Sequence, residues 1–134
     1  MNISLVRLDR EVPLPSYAHP GDVGLDMYTK EAGIVPARGM QMFYCGFAIA
    51  FDEGYAAIVK DKSSLSCKLG LHCIGGVFDA GYRGEYNVML VNLTDSPVTI
   101  ERHQKVAQLV IIPIIRATFN EVQELPQSER GIGG

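Results

Sequence analysis

Apolar positions along this chain fall in short runs, rich in β-branched and aromatic residues. Such runs suit a pleated, half-buried surface better than a helix face. They predict strands over residues 3–8, 40–51, 55–60, 86–93, 98–100, 106–112 and 114–122. Turn signals separate them: Pro20-Gly21-Asp22, Ala37-Arg38-Gly39, Asp52-Glu53-Gly54, Gly75-Gly76 and Asp95-Ser96-Pro97. Residues 106–119 are long enough for a helix, but Pro113 interrupts them and Val, Ile and Thr dominate. They predict two strands with a break. One short helix is expected over residues 63–69, with Ser63 as its N-cap. Many short strands at close intervals make an all-β sandwich or barrel.

Composition narrows this further. With 134 residues, 47% hydrophobic and 20% charged, the chain is one ordinary globular domain with a real core. Residues 1–123 read as the β domain, and residues 124–134 as a polar, then Gly-rich arm. A net charge of −3 excludes sequence-independent nucleic-acid binding, which needs clustered cations. The best apolar run, residues 106–115, is broken by Gln108 and Pro113 and falls short of the ~20 residues of a membrane span. Arg7, Asp9, Arg10 and Glu11 leave no apolar leader near the N-terminus. Cys45, Cys67 and Cys73 form no C-x-x-C pair, and His19, His72 and His103 are scattered. Reduced thiols in a cytoplasmic protein, without a structural zinc, are expected.

Five stretches carry candidate chemistry. In Gly75-Gly76-Val77-Phe78-Asp79-Ala80-Gly81-Tyr82-Arg83-Gly84-Glu85, glycines bracket a carboxylate that follows two apolar residues. A partly desolvated Asp79 would suit a general base, though a turn aspartate reads equally from spacing. Asp61-Lys62-Ser63-Ser64 places a cation and two hydroxyls at a helix start, fit for phosphate or for simple capping. Ala18-His19-Pro20-Gly21-Asp22-Val23-Gly24-Leu25-Asp26 is a glycine-containing loop with two carboxylates, one of which could face a divalent cation. Gln108 is an amide in an apolar strand and needs a partner, structural or otherwise. Ser128-Glu129-Arg130-Gly131 sets a cation on a flexible hinge, or in a disordered tail.

In this order and spacing the five stretches resemble the motifs of the trimeric deoxyuridine triphosphatase (dUTPase) family. The closest match is Asp79-Ala80-Gly81-Tyr82-Arg83-Gly84-Glu85, followed by Leu14-Pro15-Ser16-Tyr17-Ala18-His19-Pro20-Gly21-Asp22. The resemblance implies a jelly-roll-like distorted β-barrel and a homotrimer with shared active sites. It implies hydrolysis of dUTP to dUMP and pyrophosphate with Mg²⁺, which keeps uracil out of DNA and supplies dUMP. By the same resemblance Asp79 activates water and Tyr82 lies under the deoxyribose. Ile74, Gly76, Val77 and Phe78 form a uracil hairpin completed by the Asn87 backbone. Lys62, Ser63, Ser64 and Gln108 contact phosphates, Arg130 the γ-phosphate, and Asp26 supports the metal through water.

The chain departs from the family pattern in places. Lys62 stands where many relatives have arginine, a point charge in place of a bidentate fork. Cys73-Ile74-Gly75 lacks an asparagine that many relatives carry. The fifth motif usually runs on to an aromatic ring and hydroxyl residues, so an arm ending at Gly134 is expected to carry it truncated. A dCTP deaminase relative needs a glutamate where this chain has Met89. A non-catalytic barrel module would have no need of Asp79, Tyr82 and Ser63 together.

Overall fold

The computed structural model describes residues 1–132; Gly133 and Gly134, the end of the expected arm, lie outside the described residues. Eleven strands and one helix form among the described residues. In chain order they are β1 (Ser4–Arg7), β2 (Leu25–Tyr28), β3 (Gly33–Val35), β4 (Met40–Tyr44), β5 (Phe47–Ala50), β6 (Tyr55–Asp61), α1 (Ser63–Leu69), β7 (Leu71–Ile74), β8 (Val77–Asp79), β9 (Asn87–Asn92), β10 (Val98–Ile100) and β11 (Lys105–Pro113). A four-stranded sheet, β2-β11-β6-β8, faces a three-stranded one, β4-β9-β7, and two ribbons, β1-β5 and β10-β3, complete the wall. All pairings are antiparallel. This is the expected mostly-β architecture.

Alternation drives the packing. Along β9 every second residue is buried, and β5 alternates likewise. Met27, Val35, Phe43, Phe47, Val59, Leu71, Leu90, Ile100 and Leu109, drawn from every sheet, meet in one core. Buried Asn92 ties a loop to it, donating to the carbonyls of Val35 and Ser96 and accepting from Thr94.

Several expected elements need correction. The strand expected over residues 40–51 is two strands, because Gly46 (φ +70) turns the chain between β4 and β5. Its carbonyl accepts from the N–H groups of Leu8 and Asp9, at 2.8 and 3.0 Å. The helix forms as expected, but Lys62 is the N-cap, without a side-chain cap bond, and Ser63 is the first helical residue. Gly70 (φ +65) ends it in the left-handed region. No strand forms over residues 114–122. Ile114 donates to the Gly54 carbonyl, and beyond it Ile115 and Phe119 are almost wholly exposed. Their β-forming content finds no strand edge alongside. The expected hairpin around residues 74–78 is also not a hydrogen-bonded pair: β7 ladders with β9, whereas β8 ladders with β6.

Among the described residues no helix is long and apolar enough to cross a membrane.

Candidate functional site

Three of the five stretches converge on one cavity of about 280 Å³. It is lined by Ala18, His19, Asp22, Val23, Gly24, Asp26, Lys62, Ser63 and Gln108. Register explains the convergence. Gln108 on β11 stands opposite Asp26 on β2 and Lys60 on β6, so the first motif and the start of α1 arrive on either side of it. The Gln108 amide donates to the Asp61 carbonyl at 2.7 Å, so its need for a partner is met by the main chain. A Cβ at Gly24 would overlap Gln108 Oε1, so only glycine leaves that side chain its place. His19 and Asp22 close the rim through paired main-chain and side-chain bonds. Ser64, in the first turn of α1, is exposed and does not line the cavity.

The cavity floor is charged. Asp26 is 5% exposed, with Lys62 Nζ 2.8 Å from its Oδ1 and Lys105 Nζ 2.7 Å from its Oδ2. Burial works against the carboxylate charge, but Lys105 and Lys62 outweigh it and hold the group below its ordinary range. Asp61 is held low in the same way: burial opposes its charge, and the Cys73 N–H and His72 overcome that opposition. Its Oδ1 accepts from Cys73 N and its Oδ2 meets His72 Nδ1, both at 2.7 Å. That clamp fixes the end of β6 just before Lys62. Lys105 and Asp61 are absent from the sequence-based site. Asp61 opens the second stretch, but what it and Lys105 touch is decided by the approach of β7 to β6 and the register of β11 on β2.

The third motif lies elsewhere. Asp79 ends β8, paired with Ala56 at the start of β6. Its side chain is exposed, which corrects the expectation of a partly desolvated carboxylate: β8 is an edge strand and nothing covers its end among the described residues. It borders a second cleft, of about 400 Å³, with Gly54, Tyr55, Gly81, Ile114 and Arg116. The Asp79 carbonyl accepts from Tyr82 N at 3.0 Å, closing a tight turn. Tyr82 Oη donates to the Glu85 carbonyl at 3.1 Å, and the ring lies over Gly84, where a Cβ would overlap it. Glu85 anchors the return, accepting from Gly46 N at 2.9 Å and pairing with Lys30 at 3.2 Å.

Beside this turn two strand edges have no ladder partner among the described residues. The β7–β9 ladder ends at Ile74↔Met89, while β9 runs on to Asn87. β8, carrying Val77 and Phe78, has one edge without a ladder partner. Gly76 (φ +81) presses on Val59, and its carbonyl accepts from Val59 N at 2.7 Å. The side chains of Ile74 and Val77 are exposed, and Phe78 packs inward on Tyr86.

The two groups do not meet within one chain. Asp79 pairs at the start of the seven-residue β6 and Lys62 follows its end, which at ~3.3 Å per residue separates them by roughly 20 Å. Arg130 is exposed in a turn closed by Gly131 N on Ser128, and it lines neither cavity.

No cluster of three or more His, Cys, Asp or Glu that could hold a metal ion occurs among the described residues. One charged carboxylate, Asp26, reaches the cavity floor, and with Lys62 on one oxygen and Lys105 on the other it could meet a cation only through water. The thiols of Cys45 and Cys73 are pushed up to about 12, each chiefly by burial, so neither is a nucleophile at neutral pH.

Comparison with known proteins agrees with the sequence pattern. The dUTPase family model matches residues 10–134. A deoxyuridine 5'-triphosphate nucleotidohydrolase of Streptomyces avermitilis is 42% identical over 137 residues, spanning 100% of this chain and 78% of that protein. That of Thermobifida fusca is 44% identical over 138 residues, spanning 100% and 76%. Among solved structures, a point mutant of Staphylococcus bacteriophage 80alpha dUTPase with dUpNHpp superposes with TM-score 0.89 at 23% identity, covering 99% of this chain and 95% of that one. The dUTPase of phage phi11 of S. aureus, a mutant structure concerned with coordination of a structural Mg(II) ion, gives TM-score 0.85 at 22% identity, covering 92% and 98%. At these identities the structural likeness concerns the fold. A match to the family pattern over nearly the whole length, with relatives above 40% identity, leaves one assignment: the chain belongs to the dUTPase family.

Proposed function

We propose that this protein hydrolyses dUTP to dUMP and pyrophosphate with Mg²⁺, in active sites shared between the chains of a homotrimer. The observation that carries the shared site is the separation of Asp79 from Lys62 and Gln108 at opposite ends of β6. One chain offers a base-and-sugar end and a phosphate end, and a second copy is needed to bring the two together. Ile115, Phe119 and Leu125, all exposed on the segment after β11, supply apolar surface for such an assembly.

In this reading the uracil edge pairs with backbone at the opening between β8 and the start of β9. Val77, Phe78 and Asn87 flank it, with Ile74 and Gly76 shaping the turn. Main-chain N–H and C=O groups there replace a missing strand partner. Tyr82 lies under the deoxyribose, and its clamped ring leaves no room for a 2′-hydroxyl. Asp79 takes a proton from a water that attacks the α-phosphorus, and pyrophosphate leaves. Lys62, Ser63 and Gln108 of the neighbouring chain bind the phosphates from the cavity, Ser64 meets them from the exposed first turn of α1 outside it, and Arg130 binds the γ-phosphate. Mg²⁺ held by the triphosphate would neutralise part of its charge and stabilise charge on the leaving group. Asp26 would support it through water, its own charge secured by Lys62 and Lys105. Met89, half-buried in β9, has no proton to give or take, which argues against deamination. The three free cysteines fit a reducing, cytoplasmic setting.

The test is pyrophosphate release from dUTP, UTP, dCTP and dTTP with Mg²⁺. Turnover of dUTP alone is expected, and comparable turnover of UTP or dCTP would overturn the reading.

A further inference from the structure

Four aromatic rings form a column from the core to the third motif. Phe47 stacks on Tyr86 (centroids 5.2 Å apart, planes at 22°), and Tyr86 stacks on Phe78 (4.2 Å, 21°). Tyr82 then meets both: Phe78 at 5.2 Å, tilted by 52°, and Tyr86 edge-on at 5.8 Å and 65°. Tyr86 is fully buried, and its hydroxyl has no hydrogen-bond partner among the described residues. What Tyr86 contributes here is therefore its ring.

We propose that Tyr86, with Phe78, is a positioning residue that holds the Tyr82 ring still and so sets the discrimination between deoxyribo- and ribonucleotides. The inference rests on the reading of Tyr82 as the ring beneath the sugar. Excluding a hydroxyl by contact needs a wall that does not yield. Tyr82 is 36% exposed, so its outer face receives no support from its own chain. Its hydroxyl bond to Glu85 and its seat on Gly84 fix the tip and one face. Phe78 and Tyr86 stand against the ring on its inner side and oppose a swing about the Cα–Cβ bond. Because Tyr86 is stacked on Phe47, it cannot give way without disturbing the core.

The test compares kcat/KM for dUTP and UTP in the trimeric wild type and in Tyr86→Leu, Phe78→Leu and Tyr86→Phe. The dUTP/UTP ratio is expected to fall about tenfold in Tyr86→Leu and Phe78→Leu, the size of effect one lost shape contact produces. In Tyr86→Leu most of the change should come from UTP, with kcat for dUTP largely kept, because Asp79 is not part of the column; Phe78→Leu, whose residue also flanks the uracil opening, is read by the ratio alone. Tyr86→Phe keeps the ring and should keep the wild-type ratio. A general loss of structure would lower both substrates together and leave the ratio unmoved. An unchanged ratio in folded Tyr86→Leu overturns the proposal, and if that variant does not fold, an unchanged ratio in Phe78→Leu does so. A wild type that turns over UTP as readily as dUTP overturns the reading of Tyr82, and this proposal falls with it.

Discussion

Asp26 and Lys62 bind each other at 2.8 Å across 36 residues of sequence, joining the first and second motifs at the floor of one cavity. The pair, with Lys105 on the other carboxylate oxygen, sets the charge and shape of that floor. Removing the carboxylate leaves two ammonium groups facing each other. Asp26→Asn should therefore lower stability by about 1–2 kcal/mol, less than for a fully buried pair because the lysine partners stay partly in water. The loss is read from urea unfolding.

The same pair makes the difference depend on pH. An aspartate titrates ordinarily at 3.8, and Asp26 in the folded chain titrates lower. Its contribution is fully present above the ordinary value and is lost as pH falls through the folded one. The stability gap between wild type and Asp26→Asn should be flat from neutral pH down to about 5 and close progressively below 4. A gap that widens on acidification would contradict the assignment.

Gly24→Ala should damage the cavity that the proposed function assigns to the phosphates, without unfolding the barrel. The added Cβ overlaps Gln108 Oε1 and pushes the amide off the Asp61 carbonyl. A displaced phosphate ligand typically costs about 10- to 100-fold in kcat/KM. Circular dichroism should be unchanged while dUTP turnover falls.

Asp79→Asn should lose about 10²- to 10⁴-fold in kcat and keep nucleotide binding, as expected for loss of a positioned base. The residue is exposed at the end of an edge strand, so the fold should tolerate the change. Near-normal turnover would remove Asp79 from the role of base.

Mixing that variant with Gln108→Ala tests the shared site. Refolded together in equal amounts, the two impaired proteins should recover roughly one quarter of wild-type sites, because random assortment in a closed ring pairs an intact third motif with an intact cavity that often. If each site belonged to a single chain, no mixture would recover activity.

Thiol labelling should divide the cysteines. Cys45 and Cys73 are buried with thiols pushed up to about 12, whereas Cys67 is exposed on α1. A disulfide reagent should modify one thiol rapidly in the native protein and all three after denaturation.

The sequence by itself determined much of this molecule. Runs rich in β-branched and aromatic residues predicted β6, β9, β10 and most of β11, because such side chains suit a pleated, half-buried surface. The hydroxyl of Ser63, read as a cap, marked α1 with its cap one residue late, and motif order and spacing predicted the family. Other features were decided only in three dimensions. β3, β7 and β8 are too short to show a period and exist because a neighbour's edge stands beside them. Residues 114–122 have strand-forming side chains and no such edge, so they form no strand. A strand needs a partner as well as a propensity, and the partner is invisible along the chain. The same holds for the site. Asp26, Lys62 and Gln108 were legible as candidates, but Lys105 enters only through the register of β11 on β2. The division of the site between the two ends of β6 follows from which residues the ladders place side by side, Ala56 with Asp79 at one end and Asp61 with Ala107 at the other.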